Sequence, residues 1–292
     1  MAETIKRLDW KRLLEEALTT PGNLGTTYAR FWDYSITNLL LFRMQGIHEP
    51  VASASRWRAI GRRVLSNAQP KEVIVPVLVS EPAPQDAELN NPAEQATEQR
   101  AEASEPPPTT GEQQAKRERV ARLVGFRAVR AVYTLSDTEG ADLPPVKTPG
   151  WDLPTALGKL AIREVPFDSS DGNLQGYSYG LDIAINPIAV NPTKTRFHEI
   201  GHIVLGHTIP QYHAAYATHR GIREFEAEST AYLVMNELGQ LDEDTASRSR
   251  GYIQHWLQDE QPPEAAIKHV FRAADAILKA GRIDANQRQN AT

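Results

Sequence analysis

TRFHEIGHIVLGH, residues 195–207, sets three histidines and one glutamate into a largely apolar run. His198-Glu199-Ile200-Gly201-His202 is an H-E-x-x-H pattern, and Phe197, Ile200, Ile203, Val204 and Leu205 around it favour a buried helix. Residues four apart on a helix share a face, with Cβ atoms about 5–6 Å apart. Both imidazoles can therefore reach one ion, and Glu199 stands beside it as general base for a water. The competing reading is a core helix whose histidines are satisfied by backbone carbonyls. That reading leaves several polar side chains to be paired inside an apolar helix, which is costly without a functional reason.

Catalytic zinc commonly takes three protein ligands and keeps one position open. His207 is nearest in sequence, but on a continuous helix it turns away from the face of His198 and His202. Gly206 can end the helix and redirect it. A metzincin pattern would need Gly at the position of Leu205 and His at that of Thr208, and neither is present. His207 is therefore expected at the helix end, supporting a ligand. The third ligand is sought in REFEAESTAYLV (223–234), where Glu224 and Glu228 lie four apart and Glu226 points away. The E-x-x-A-E spacing matches the gluzincin arrangement. Glu224 is the expected ligand and Glu228 the acid that orients a ligand histidine. The competing reading is a solvated acidic helix face.

Composition narrows the chemistry. Among 292 residues there is no cysteine, which excludes disulfides, thiolate-bound zinc and thiol catalysis. Any metal must be held by His, Asp or Glu. No run of about 18 apolar residues offers a membrane span, and the charged N-terminus reads as an amphipathic helix, so the expected compartment is the cytoplasm. The net charge of -5 is unevenly spread: residues 83–115 carry seven acids and one Arg, whereas residues 1–82 hold eleven Lys/Arg against eight Asp/Glu. A basic excess in the N-terminal half points to a polyanion partner.

EPAPQDAELNNPAEQATEQRAEASEPPPTTGEQQ (81–114) is nearly free of large apolar residues and is expected to be disordered. VIVPVLV (73–79) on one side and LVGFRAVRAVYTL (123–135) on the other read as strands. The segment about 81–118 is thus expected to be a long loop within one domain. The boundary then falls near the prolines and glycine of 144–154. The expected fold class is α+β with two domains, 1–148 and 149–292. Helices are expected at 8–18 and 34–45, a short helix or helix-turn at 55–65, then helices at 155–165, 193–206, 222–238, 246–257 and 264–280, with a β-ribbon at 176–187.

FHEIGHIVLGH followed by EFEAESTAYLV resembles the metallopeptidase domain shared by ImmA/IrrE-type proteins and ArdC-type antirestriction proteins. The order YSITNLLLFRMQ, SRWRAIGRRV, VIVPVLV and FRAVRAVYTLSDTEGADLP is similar to the ArdC/LtrC-like single-stranded DNA-binding domain. The chain departs from that family at LSNAQPKE (65–72), where a glycine-containing basic turn is usual, and in its acidic insertion. The resemblance implies an N-terminal single-stranded DNA-binding domain and a gluzincin-like metallopeptidase domain holding zinc, with manganese as the alternative ion. It implies protection of incoming mobile-element DNA from restriction.

Single strands are bound by a positive groove with aromatic platforms. Trp57 among Arg56, Arg58, Arg62 and Arg63 is one such interleaving; Arg127 and Arg130 follow on a strand, with Tyr34 and Asn38 one helical turn apart. The bland alternative makes Trp57 and Tyr34 core residues and the arginines a solvated face. Tyr177, Tyr179, Tyr212 and His213 are candidates for stabilising an oxyanion. One rival function is an ImmA/IrrE-like zinc protease that cleaves a repressor or regulator, targeted by the N-terminal domain. The other is a DNA-binding scaffold with a vestigial metal site.

Overall fold

A computed structural model describes residues 8–19, 34–82, 119–143, 150–209 and 220–283, with side chains at all of these except 78–82, 119–124 and 220. Strands and helices are mixed along the chain, giving an α+β fold. Its compact units are Met1–Ile74 with Ala128–Thr292, and Val75–Arg127. The larger unit therefore joins helices from both ends of the sequence around one core.

The first helix, α1 (Trp10–Thr19), places Trp10, Leu13, Leu14, Ala17 and Leu18 on one buried stripe at the spacing of an amphipathic helix. Asp9 caps it by accepting from the Arg12 N–H at 3.0 Å. Ser35 caps α2 (Ile36–Met44) in the same way, through the Asn38 N–H. A short strand β1 (Val51–Ser53) leads into α3 (Ala54–Ala59). The short helix or helix-turn expected over 55–65 is a helix as far as Ala59; Gly61 then adopts φ +79°, and Arg62–Val64 becomes β2.

Next come β3 (Lys71–Pro82) and β4 (Arg119–Thr134), the two strands expected at 73–79 and 123–135. They form a sheet in the order β1-β4-β3, with Val51 opposite Thr134 and Ser53 opposite Val132. Residues 83–118 of the acidic segment lie outside the described residues. A second pair joins β2 to β5 (Thr138–Gly140).

The C-terminal elements begin with β6 (Gly150–Trp151) and α4 (Leu153–Lys159). The helix expected to reach residue 165 ends early: Ala161 has φ 56°, and Arg163–Glu164 form β7. The ribbon is present as β8 (Gly176–Tyr179) and β9 (Asp182–Ile185), with β7 running parallel to β9. Then follow α5 (Pro192–Val204), α6 (Arg220–Glu237), α7 (Glu243–His255), α8 (Glu264–Ala280) and β10 (Arg282–Ile283). The β10 strand pairs with β6.

The α8 helix is the central post. Its Ile267, Val270, Phe271, Ala274, Ile277 and Leu278 are buried against α1, α2 and α6, with Trp10 and Phe271 rings 6.0 Å apart. The α5 and α6 helices cross closely at Gly201, where an added Cβ would lie 3.4 Å from the Ala227 carbonyl oxygen and 3.5 Å from its Cα. Among the described residues no helix is long and apolar enough to cross a membrane.

One buried group in this core is a liability. Both carboxyl oxygens of Glu237 lack a hydrogen-bond partner among the described residues. Burial, with the Asp275 carboxyl nearby, pushes Glu237 up to about 8. Asp275 is itself raised to about 6 by burial, against the pull of the Ile36 N–H it accepts. The folded value of Glu237 lies above the unfolded one, so this site contributes no loss of stability at low pH and a growing loss as pH rises from about 4.5 toward 8. Glu237→Met should raise stability at pH 7 by about 1–3 kcal/mol and flatten its fall between pH 5 and 8. Urea unfolding across that range checks this; equal or lower stability with an unchanged pH slope would contradict it.

Candidate metal centre

Helix α5 starts firmly. Asn191 accepts from the Lys194 N–H at 2.9 Å, and Pro192 supplies the fixed backbone angle favoured at the first helical position. This sets His198 and His202 one turn apart on the face toward α6. The i, i+4 spacing on α6 presents Glu224 and Glu228 in return.

His198 Nε2 lies 3.1 Å from His202 Nε2 and 3.3 Å from Glu224 Oε2, and His202 Nε2 lies 3.7 Å from Glu224 Oε1. One donor atom from each residue falls within 4.8 Å of the other two. A tetrahedral ion with ligands at about 2.0–2.2 Å requires donor–donor edges of about 3.3–3.6 Å. The edges of His198 to His202 and to Glu224 Oε2 lie near that range, and a set with one donor per residue stays within 4.8 Å, so a zinc-sized ion fits with adjustment of side chains alone.

The charges point the same way. Hydrogen bonds from His198 and His202 hold the Glu224 carboxyl well below the usual range. Burial opposes ionisation of His198, but Glu224 and Glu228 together raise it to about 9. Burial likewise opposes ionisation of Glu228, yet His198, Lys194 and Ser249 pull it down to about 2. With Glu199 added, three carboxyl groups face the imidazoles of His198 and His202, a surplus of negative charge that a cation would neutralise.

Each histidine of the triad has its own support. Glu228 Oε2 stands 3.4 Å from His198 Nδ1, while its Oε1 accepts from Ser249 at 2.6 Å and pairs with Lys194 at 2.7 Å. His207 Nδ1 stands 2.9 Å from His202 Nδ1. It gets there because Gly206 (φ +79°) turns the chain at the helix end and the His207 N–H donates to the His202 carbonyl. Burial lowers the His207 pKa against the pull of Glu226.

Three partners escaped the sequence reading. Ser178 on β8 donates to Glu199 Oε2 at 2.8 Å. Its signal was faint: a small polar residue between two tyrosines in the ribbon. Ser249 and Lys194, which hold Glu228, carry no motif. Glu199 is only 8% exposed, at the wall of a cavity of about 530 Å³ that is also lined by Gly176, Val190, Lys194, His198 and Arg248. Of the oxyanion candidates, Tyr177 packs on Phe167 and Tyr179 stands 69% exposed at the ribbon's end, while Tyr212 and His213 lie outside the described residues.

The residues proposed to meet DNA divide by burial. Trp57 is 2% exposed and its indole N–H donates to the Tyr133 carbonyl, so its ring has no free face for stacking. Asn38 is buried, bonding both the Ile74 carbonyl (2.9 Å) and the Ile74 N–H (2.7 Å). These two are corrections: their side chains are spent on the core. Tyr34 meets Phe42 edge-on at 4.9 Å, and burial raises it to about 12. Arg62 is tied to the Thr138 hydroxyl and carbonyl and to the Gly140 and Ala141 carbonyls. Arg56, Arg58, Arg63, Arg127 and Arg130 are exposed. Arg63 pairs with Glu139 and Arg130 with Glu72.

No family model and no curated protein matches the chain. Among solved structures it is similar to the antirestriction ArdC protein from the R388 plasmid. The metal-free form overlays with TM-score 0.47 at 14% identity, covering 94% of this chain and 96% of that one. The Mn(II)-bound form overlays with TM-score 0.44 at 15% identity, covering 94% and 98%.

Proposed function

We propose that the chain is a metal-dependent, peptidase-like protein of the antirestriction type, acting on or beside single-stranded DNA. The observation that carries the hydrolytic part is the triad of His198, His202 and Glu224 with Glu199 at its flank. The antirestriction and DNA parts follow from the order of motifs in the sequence. A divalent ion, zinc or manganese, held by the triad would supply a Lewis acid that polarises a carbonyl and acidifies water.

The chain's own residues define the rest. Ser178 occupies Oε2 of Glu199, which leaves Oε1 to take a proton from water and later return it to a leaving amine. Glu228 fixes the ring of His198, and its own charge is held by Lys194 and Ser249. The cavity beside Glu199 favours, as the second reading, an ImmA/IrrE-like protease that cleaves a protein regulator, since a side chain of a polypeptide substrate fits its volume. Arg56, Arg58, Arg63, Arg127 and Arg130, all exposed, are the arginines proposed to meet DNA phosphates.

Metal analysis should find about one equivalent of zinc or manganese in the wild type and none in His198→Ala or Glu224→Ala. Stoichiometric metal in both variants would sink the site. Glu199→Gln should keep its metal and lose about 10²–10⁴-fold in peptide hydrolysis. Full protection of incoming DNA by that variant in cells would assign antirestriction to binding alone, whereas its loss would tie protection to the chemistry.

For DNA, anisotropy titrations of single-stranded oligonucleotides should show affinity falling with salt. Replacing both Arg58 and Arg63 by Ala should lower the log–log slope by about 0.7 for each phosphate that the variant no longer neutralises. Trp57→Phe should leave that slope unchanged. No salt dependence, or no preference for single over double strands, would contradict the DNA assignment.

A further inference from the structure

Glu226 sits on the opposite side of α6 from Glu224, yet at 5% exposure it is one of the most deeply buried acids among the described residues. Its Oε2 lies 2.8 Å from His207 Nε2 and its Oε1 lies 3.2 Å from Nδ1 of His269 on α8. His207 is 6% exposed, whereas the His269 side chain is 51% exposed. A buried carboxylate needs partners of this kind, but the pairing also has a direction, and the direction leads to the metal centre.

The inference rests on the reading of His198, His202 and Glu224 as ligands. The Nε2 atom of His202 is the one that meets the other two donors. As a ligand it presents a lone pair there, so the neutral ring carries its hydrogen on Nδ1. Across the 2.9 Å contact His207 must then accept on its own Nδ1. Its hydrogen is left on Nε2, where it donates to Glu226. Every step is fixed by the one before, and the chain ends on a carboxylate whose second oxygen accepts from His269.

We propose that Glu226 is a positioning residue of the metal centre, acting through His207 to fix the tautomer and orientation of His202. The two ligand histidines are thus served differently. His198 meets its acid directly, through Glu228, and His202 meets its acid through an inserted imidazole. The inserted ring is made available by the turn at Gly206, which brings His207 back beneath the helix end.

Competition with a chromophoric chelator measures Zn2+ affinity without reference to turnover. Glu226→Gln keeps the shape but removes the charge that polarises His207, and should weaken Zn2+ binding by about 10–100-fold. A change smaller than threefold overturns the inference while leaving the metal site standing. A wild-type protein that binds no Zn2+ overturns the reading beneath it and the inference together. Imidazole 15N spectra of the Zn2+-loaded wild type give a second test that needs no variant. His207 should appear as the neutral ring protonated at Nε2 only; protonation at Nδ1, or at both nitrogens, overturns the proposal.

Discussion

The close crossing of the 192–204 and 220–237 helices is the constraint on which the site depends. At Gly201 the backbone of one helix comes within contact distance of Ala227 on the other, and Thr230 lies beside it. An added Cβ there would meet Ala227 and Thr230 at 3.4–3.6 Å, ordinary contact distance, so the crossing has room for a methyl group and little more. The consequence is geometric: His198 and His202, three before and one after that glycine, face Glu224 and Glu228 across a gap of one ion's width. A side chain longer than that of alanine at 201 would press on Ala227 and Thr230 and disturb the facing of the triad, while each helix keeps its own hydrogen bonds. The burial of Phe197, Ile200, Phe225, Ala231 and Tyr232 in one core fixes the crossing from both sides.

The electrostatics are a consequence of the same crossing. Bringing the 220–237 helix against the histidines concentrates Glu224, Glu226 and Glu228 with Glu199 in a partly dry space. Such a cluster persists only if its charges are paired. The pairing is divided among Lys194 and Ser249 on Glu228, Ser178 on Glu199, and His207 and His269 on Glu226. Glu224 is left to the imidazoles of His198 and His202. The site is therefore an acidic cluster in which each carboxylate has a separate task.

The grouping of His198, His202 and Glu224 was legible in sequence because each half of it is local. H-E-x-x-H and E-x-x-A-E each depend on one helical repeat, and helical periodicity survives in one dimension. The strands at 71–82 and 119–134 and the ribbon at 176–185 were legible through β-branched runs and alternation. What could not be read were relations between faces. Glu226 does point away from Glu224, as helical spacing requires, but what lies on its own side is set by the turn at Gly206 and by a helix more than thirty residues on. Trp57 among arginines looks like a stacking platform in sequence, and only the position of the 119–134 strand reveals that its indole is taken by the Tyr133 carbonyl. Arg62 is similar: its guanidinium is spent on a neighbouring strand, at a residue 76 positions away.

The central claim is that one ion binds at the helix crossing. Anomalous diffraction at the zinc edge, from crystals grown with one equivalent of Zn2+, tests it most directly. A single strong peak is expected within about 2.0–2.2 Å of His198 Nε2, His202 Nε2 and a Glu224 oxygen. A peak held by other residues, or no peak at this crossing, would contradict it.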